Sequence, residues 1–151
     1  MLHFQTEAWS RALPELRPLF SQLWEDVAVD KDRFVAKCAE GTYAELEKKG
    51  MLHVVTARTA DRELAGYFVA LLNFNPHYAG AGLFAYTDMY YLRPAFRKGT
   101  AGLELFQFME KTLRTIGVVK VYSSHKIHRS RASMFRLLGF QPTDIVYSKV
   151  L

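Results

Sequence analysis

The residues best suited to chemistry in this 151-residue chain fall in one stretch, Leu92-Arg-Pro-Ala-Phe-Arg-Lys-Gly-Thr-Ala-Gly102. An aromatic-rich run ends there, small residues follow, and a long amphipathic run begins. A helix N-terminus exposes unpaired amides and the positive end of the helix dipole, so small residues ahead of it let those amides approach a phosphate. Gly99, Thr100, Ala101 and Gly102 are small enough, and Arg97 and Lys98 add positive charge at the mouth. The same glycines would equally serve a connection that needs only their turn geometry. A Walker loop is excluded because no Gly-Lys-Ser/Thr follows, and the glycine spacing excludes the dinucleotide fingerprint.

Asp88 is the best candidate for a base. Strand periodicity of two puts it on the face of Leu92 and Tyr86, where burial would raise its pKa towards neutrality. The plainer reading is a carboxylate that accepts a hydrogen bond from a nearby tyrosine. His125 and His128, beside Ser123 and Ser124, invite a hydrolase or a metal reading. No nucleophile elbow precedes a helix, and a metal needs further ligands that the sequence does not supply, so both read as exposed loop histidines. Cys38 stands alone, which excludes an internal disulfide and any cysteine-based metal cluster within one chain.

These residues need elements to position them. Leu13, Leu16, Phe20, Leu23 and Trp24 recur at helical spacing, although Pro14 and Pro18 blur the helix start. Asp30 is expected to cap a short helix carrying Phe34, Val35 and Cys38. Thr42 and Glu45 form a capping-box pattern ahead of a helix that ends at Gly50. Leu52–Arg58 and Glu63–Asn73 read as an antiparallel hairpin, and Leu83–Leu92 as a third strand. A helix follows, with Leu105, Met109, Leu113 and Ile116 on one face, and stops at Gly117. Val118–Ser124 reads as a strand, Arg131–Leu138 as a short helix, and Phe140–Leu151 as a last strand. The order predicts one mixed α/β (α+β) domain over residues 1–151.

Lys and Arg total 20 against 15 Asp and Glu, a formal charge of +5. The surplus is concentrated late: Lys120, Lys126, Arg129, Arg131, Arg136 and Lys149 face only Asp144 after Val119. Such a surface suits a phosphorylated ligand or an acidic substrate; nucleic acid is the alternative. No apolar run reaches the length of a membrane span, and no signal peptide is evident, so a cytoplasmic protein is expected.

The Leu92–Gly102 stretch resembles the acetyl-CoA motif of the GCN5-related N-acetyltransferases (GNAT), Val-x-Pro-x-Tyr-Arg-x-x-Gly-x-Gly/Ala followed by a long helix. Leu92, Pro94, Phe96, Arg97 and Gly102 keep the pattern, with Thr100 at the first glycine. The Glu63–Tyr67 run is similar to that family's central hairpin strand. Gly139-Phe140 matches the end of its second motif, with Phe135 where the family has tyrosine and His128 where it has asparagine. The resemblance covers residues 50–150. It implies a mixed, mostly antiparallel sheet with helices on both faces and a splayed parallel strand pair.

Acetyl-CoA would sit in the V between strands ending near Leu92 and Ser124. Tyr91, Leu92 and Arg93 would line the pantetheine, and Arg97, Lys98, Gly99, Thr100, Ala101, Gly102 and Leu103 would hold the pyrophosphate. The implied reaction is acetyl transfer to the amine of a small molecule or protein. It needs a base, for which Asp88 stands, and an acid. Phe135 cannot be that acid: either another group serves, with Tyr122, His125 and Tyr147 as substitutes, or the thiol leaves through water, or catalysis has been lost. The family also implies a homodimer as one assembly. Its small copies occur in bacteriophages, so a phage protein in the host cytoplasm or virion is one expectation. The alternative is a scaffold whose V is filled by Tyr90, Tyr91 or Phe96 and which binds a partner without catalysis.

Overall fold

The hairpin runs Leu52–Arg58 and Leu64–Phe74 are apolar on both sides and are buried along most of their length. Strands of that kind require cover on both faces of a sheet. A computed structural model describes residues 1–151 and supplies that cover. Strands β1 (His3–Thr6), β2 (Leu52–Arg58), β3 (Leu64–Phe74), β4 (Leu83–Leu92) and β5 (Val118–Tyr122) form one sheet in chain order. All neighbours are antiparallel except β4 and β5, which are parallel. The parallel junction is bridged by helix α3 (Ala101–Thr115), as a crossover requires.

Helices α1 (Trp9–Val27) and α2 (Glu40–Lys48) cover one face, where Trp9, Ala12, Leu16 and Leu19 meet Val54, Tyr67, Val69 and Tyr91. Helix α3 and the short α4 (Ala132–Leu137) cover the other, where Leu105, Phe106, Met109, Leu113 and Phe135 meet Val55, Phe68 and Ala85. The strands of the hairpin, β4 and the boundaries of α3 agree closely with the sequence pattern. Gly66 has a particular reason: a Cβ there would lie 2.4 Å from both the Leu92 side chain and the Tyr91 carbonyl oxygen. Only glycine lets β3 approach the end of β4 that closely.

Three expectations fail, and one strand is additional to those the sequence pattern marks. Strand β1 is short and mostly polar, and its pattern carries no signal; pairing with β2 creates it. Asp30 sits in the left-handed region (φ 57°) and opens a turn, and no helix carries Phe34, Val35 or Cys38. Thr42 lies inside α2, which starts at Glu40, so there is no capping box. Instead, Glu47 of α2 accepts hydrogen bonds from the amides of Trp9 and Ser10 and caps α1 from a distance. Finally, Phe140–Leu151 is not a strand. Ile145, Val146 and Tyr147 are consecutive and all exposed, so the segment offers no single apolar face to bury. Pro14 and Pro18 both lie within α1, whose burial of Trp9, Ala12, Leu16 and Leu19 outweighs two missing donors.

Two polar contacts pin the layers. Glu7 accepts from Arg58 Nε at 2.6 Å and from Thr56 at 2.6 Å, and Arg58 also reaches Glu15 at 2.9 Å. Burial works to raise the Glu7 pKa, but hydrogen bonds from Arg58, Thr56 and Gln5 outweigh it and hold it at about 2. His53 Nε2 lies 2.8 Å from Thr112 Oγ1 of α3, and burial pushes its pKa down to about 4.

Candidate functional site: a split strand pair and an amide cradle

Strands β4 and β5 pair only from Leu83 to Tyr86 on β4. Strand β3 continues to pair with β4 as far as Leu92. Beyond Tyr86 the parallel strands therefore part, and the second half of β4 has one free edge. Two contacts still cross the gap. Thr87 Oγ1 lies 2.5 Å from Ser123 Oγ, and the Tyr90 hydroxyl donates to the Ser124 carbonyl at 3.2 Å. Tyr90 packs edge-on against Phe106, so it spans the gap from the α3 side. The other bulky candidates for filling the V do not do so. Tyr91 turns to α1 and donates to Gln22 at 3.2 Å, and Phe96 lines a surface hollow shared with Met1 and Leu2.

After β4, a single turn of 3-10 helix (Pro94–Phe96) and Gly99 at φ +63° lead into α3. None of the amides of Lys98, Gly99, Thr100, Ala101, Gly102 and Leu103 donates to an acceptor within the protein. This is a run of donors at the positive end of a 15-residue helix. Lys98 beside it is exposed and forms no ion pair. A Cβ at Gly102 would make only an ordinary contact, 3.5 Å from Met134 Sδ of α4. The geometry fits a pyrophosphate, which accepts several hydrogen bonds and carries negative charge. The Thr100 hydroxyl is occupied: it donates to the exposed Glu104 carboxylate and does not cap α3.

Other members of the expected set are placed differently. The Arg97 guanidinium folds back, donating to the Leu92 carbonyl at 2.7 Å and to Asp26 at 2.6 Å, and lies over the Tyr91 ring. The Arg93 amide donates to Ala65 at 2.9 Å. Leu92 O and Arg93 N–H therefore already have protein partners, which leaves earlier β4 backbone to line the V.

Asp88 shows why period two misleads here. Val69 pairs with Met89 and Ala70 with Thr87, so Asp88 is the extra residue of a β-bulge. Past the bulge the alternation reverses: Tyr90 and Leu92 face α3, whereas Asp88 accepts from the Tyr43 hydroxyl of α2 at 2.6 Å. Asp88 shares a face with Tyr86 and not with Leu92, and it is exposed rather than buried. Tyr43 was not singled out in the sequence; only the packing of α2 brings it here. Burial raises the Tyr43 pKa, and the Asp88 carboxylate raises it further. The buried Tyr67 hydroxyl nearby has no partner.

Tyr122 stacks on Tyr86, with ring centroids 5.0 Å apart, and Lys120 lies over its ring. That puts Tyr122 on the Asp88 face. His125 lies on the other face, its ring 5.8 Å from Phe135, which is buried. Tyr147 lies in the exposed C-terminal segment, away from the core. No group of three or more His, Cys, Asp or Glu side chains gathers in the structure. No helix is long and apolar enough to cross a membrane.

A mixed sheet with one parallel junction, split beyond a bulge and followed by an amide-rich helix start, is the GNAT fold. Solved acetyltransferases share it across the whole chain. One is a glucosamine-6-phosphate N-acetyltransferase from Arabidopsis thaliana, with a TM-score of 0.72, 13% identity, and coverage of 99% of this chain and 98% of that one. A predicted acetyltransferase from Clostridium acetobutylicum, solved with acetyl-CoA, superposes with a TM-score of 0.73 at 14% identity, covering 99% and 96%. An aminoglycoside acetyltransferase from an uncultured soil metagenomic sample, in complex with sisomicin, gives 0.74 at 14% identity, again covering 99% and 96%. None of these three is described as a phage protein. No protein-family model matches the sequence, and no curated protein matches it. The likeness is therefore one of fold.

Proposed function

We propose that this chain is an N-acetyltransferase that takes its acetyl group from acetyl-CoA and delivers it to an amine. The observation that carries the reading is the run of unpaired amides from Lys98 to Leu103 beside a split β4–β5 pair. Solved neighbours with this fold include one with acetyl-CoA and one with an aminoglycoside, which supports an acyl donor and a small-molecule amine acceptor. When bound, acetyl-CoA supplies an acetyl thioester open to attack by an amine.

The chain's own residues divide the remaining work. The amides of residues 98–103 and the Lys98 ammonium hold the pyrophosphate. The free edge of β4 within the V, up to Tyr91, aligns the pantetheine. Asp88 takes a proton from the acceptor amine, directly or through water, with Tyr43 holding its carboxylate in place. Tyr122, which stacks on Tyr86 on the same face, is a source of a proton for the leaving thiolate. His125, whose ring lies 5.8 Å from the phenylalanine at the family's usual acid position, is the alternative.

The Tyr90 bridge to Ser124 favours a second reading, a GNAT scaffold whose V is closed and which no longer uses the donor. Calorimetric titration with acetyl-CoA separates the two. Saturable one-to-one binding, followed by acetylation in an amine screen, supports the enzyme. A well-folded sample that does not bind acetyl-CoA at millimolar concentration refutes it.

A further inference from the structure

Four aromatic rings from β4, β5 and the β3–β4 loop form a platform outside both helical layers. Ala85 packs in the α3 layer, so its neighbours Phe84 and Tyr86 stand on the opposite face, the one that carries Asp88. Tyr122 of β5 pairs with Tyr86, and their rings lie 6° from parallel with centroids 5.0 Å apart. Tyr122 is also close to parallel with Phe84 at 6.3 Å, and Tyr78 with Phe84 at 5.9 Å. None of the four belongs to either core cluster. Phe84, flanked by Tyr78 and Tyr122, is buried; Tyr86 and Tyr122 are half-buried and Tyr78 is exposed. Two charges bracket these rings. Asp88 lies two residues beyond Tyr86, the last β4 residue paired with β5, so it stands at the mouth of the V. Its exposed carboxylate accepts one hydrogen bond, from Tyr43. At the other end Lys120, opposite Phe84, places its ammonium 4.8 Å from the centre of the Tyr122 ring. Lys120 forms no ion pair, and Asp144 acts on it only at longer range.

Resting on the acetyltransferase reading, we propose that the acceptor is a small amine with one positive charge and a flat aromatic ring, the ring seated against Tyr86 and Tyr122 and the amine at Asp88. Exposed rings favour a further ring: offset-stacked and edge-on aromatic pairs add to what area burial contributes. Asp88 supplies the charge opposite to the ammonium. Successive same-face positions on a strand lie roughly 6–7 Å apart, a span that a short link between ring and amine covers. Lys120 sets the charge limit. A second ammonium beyond the ring would meet it, and no group of three or more acidic side chains gathers to offset the repulsion. Polycationic acceptors are therefore disfavoured. The ammonium loses one proton to Asp88 before attack. The N–C bond then forms as the thioester C–S bond breaks, and the second amine proton balances the thiolate.

The test titrates three amines into the wild-type chain and Tyr86→Leu, with and without CoA, and measures their acetylation from acetyl-CoA. The amines are phenethylamine, 2-cyclohexylethylamine (same charge, no flat ring) and 4-(aminomethyl)phenethylamine (same ring, a second charge at its far end). Phenethylamine is expected to bind about two- to twelvefold more tightly than its cyclohexyl counterpart and to show the highest kcat/KM of the three. The doubly charged amine is expected to bind at least about twofold more weakly than phenethylamine at low salt. Tyr86→Leu should erase the ring preference and leave acetyl-CoA affinity unchanged. The proposal is overturned if the two single-charge amines bind alike, if the doubly charged amine binds best, or if folded Tyr86→Leu keeps the preference. The wild-type comparison decides even where Tyr86→Leu does not fold. If acetyl-CoA binds and a polyamine such as sisomicin is acetylated in preference to phenethylamine, the proposal falls and the acetyltransferase reading stands. If the ring preference appears but acetyl-CoA does not bind, the amine site stands and the acetyltransferase reading falls. If no amine binds at millimolar concentration, the proposal falls whatever acetyl-CoA does.

Discussion

Gly102→Glu puts the amide cradle to its most direct test, because the variant should move affinity and stability in opposite directions. Gly102 lies in the first turn of α3 facing α4, and a Cβ there meets only Met134 Sδ at 3.5 Å. The fold therefore has room for a side chain. Replacing a helical glycine contributes roughly 0.5–1 kcal/mol, and an acidic group at a helix N-terminus adds about 0.3–1 kcal/mol. The melting temperature should rise by about 2–8 °C. Binding should suffer. A carboxylate about 5 Å from a pyrophosphate bearing about two charges costs about 1.7 kcal/mol even at the dielectric constant of water, a loss of roughly 20-fold. A drier site makes the loss larger.

Calorimetry with acetyl-CoA and differential scanning measure the two quantities on the same sample. Gly102→Ala is the control: it should share the stability gain and keep most of the affinity, since it adds bulk without charge. Unchanged affinity in Gly102→Glu would refute the placement of the pyrophosphate. An equal loss in both variants would show that space, not charge, governs the site.

Asp88→Asn should lower the transfer rate by about 100-fold or more while leaving acetyl-CoA affinity intact, as single-turnover kinetics and calorimetry would show; an equal fall in both would make Asp88 structural. Glu104→Gln removes an exposed carboxylate from the first turn of α3 and should tighten acetyl-CoA by about threefold at low salt, an effect that fades as salt is raised. His53 is held neutral with a pKa of about 4 against an ordinary value of 6.5. The unfolded chain thus binds the proton more readily, and stability should fall by about 3 kcal/mol as pH drops from 6.5 to 4. Urea denaturation at pH 7 and pH 4.5 reads this loss, which His53→Gln should largely abolish. Glu7 loses its contribution in a lower window, from pH 4.5 towards 2, so the two effects separate.

Much of the scaffold was legible from local signals. The β2–β3 hairpin is two apolar runs, the first β-branched, around a polar turn, β4 is an aromatic-rich run bounded by loop residues, and α3 recurs at helical spacing. The elements that sequence misplaced depend on partners far along the chain. Strand β1 exists only through β2, and α1 is capped by Glu47, which is 38 residues from Trp9. The Asp30 turn uses a left-handed aspartate that also reads as an N-cap.

The site divides in the same way. Its proposed anion cradle is local, a loop and a helix start in one stretch, and small residues mark it, as they would also mark a connection that needs only turn geometry. Its chemistry is not local. One extra residue at Asp88 reverses the side-chain alternation of β4 and sends the carboxylate to Tyr43, 45 residues away in sequence. The same bulge turns Tyr90 and Leu92 to the α3 side and accompanies the end of β4–β5 pairing. A bulge leaves no reliable mark in a single sequence, because Thr-Asp-Met-Tyr also fits a regular strand. Yet it sets which face carries Asp88, the candidate base, and lies next to the point where β4 and β5 part. In this chain the irregularity of β4, more than any motif residue, is what brings a candidate base to the edge of the V.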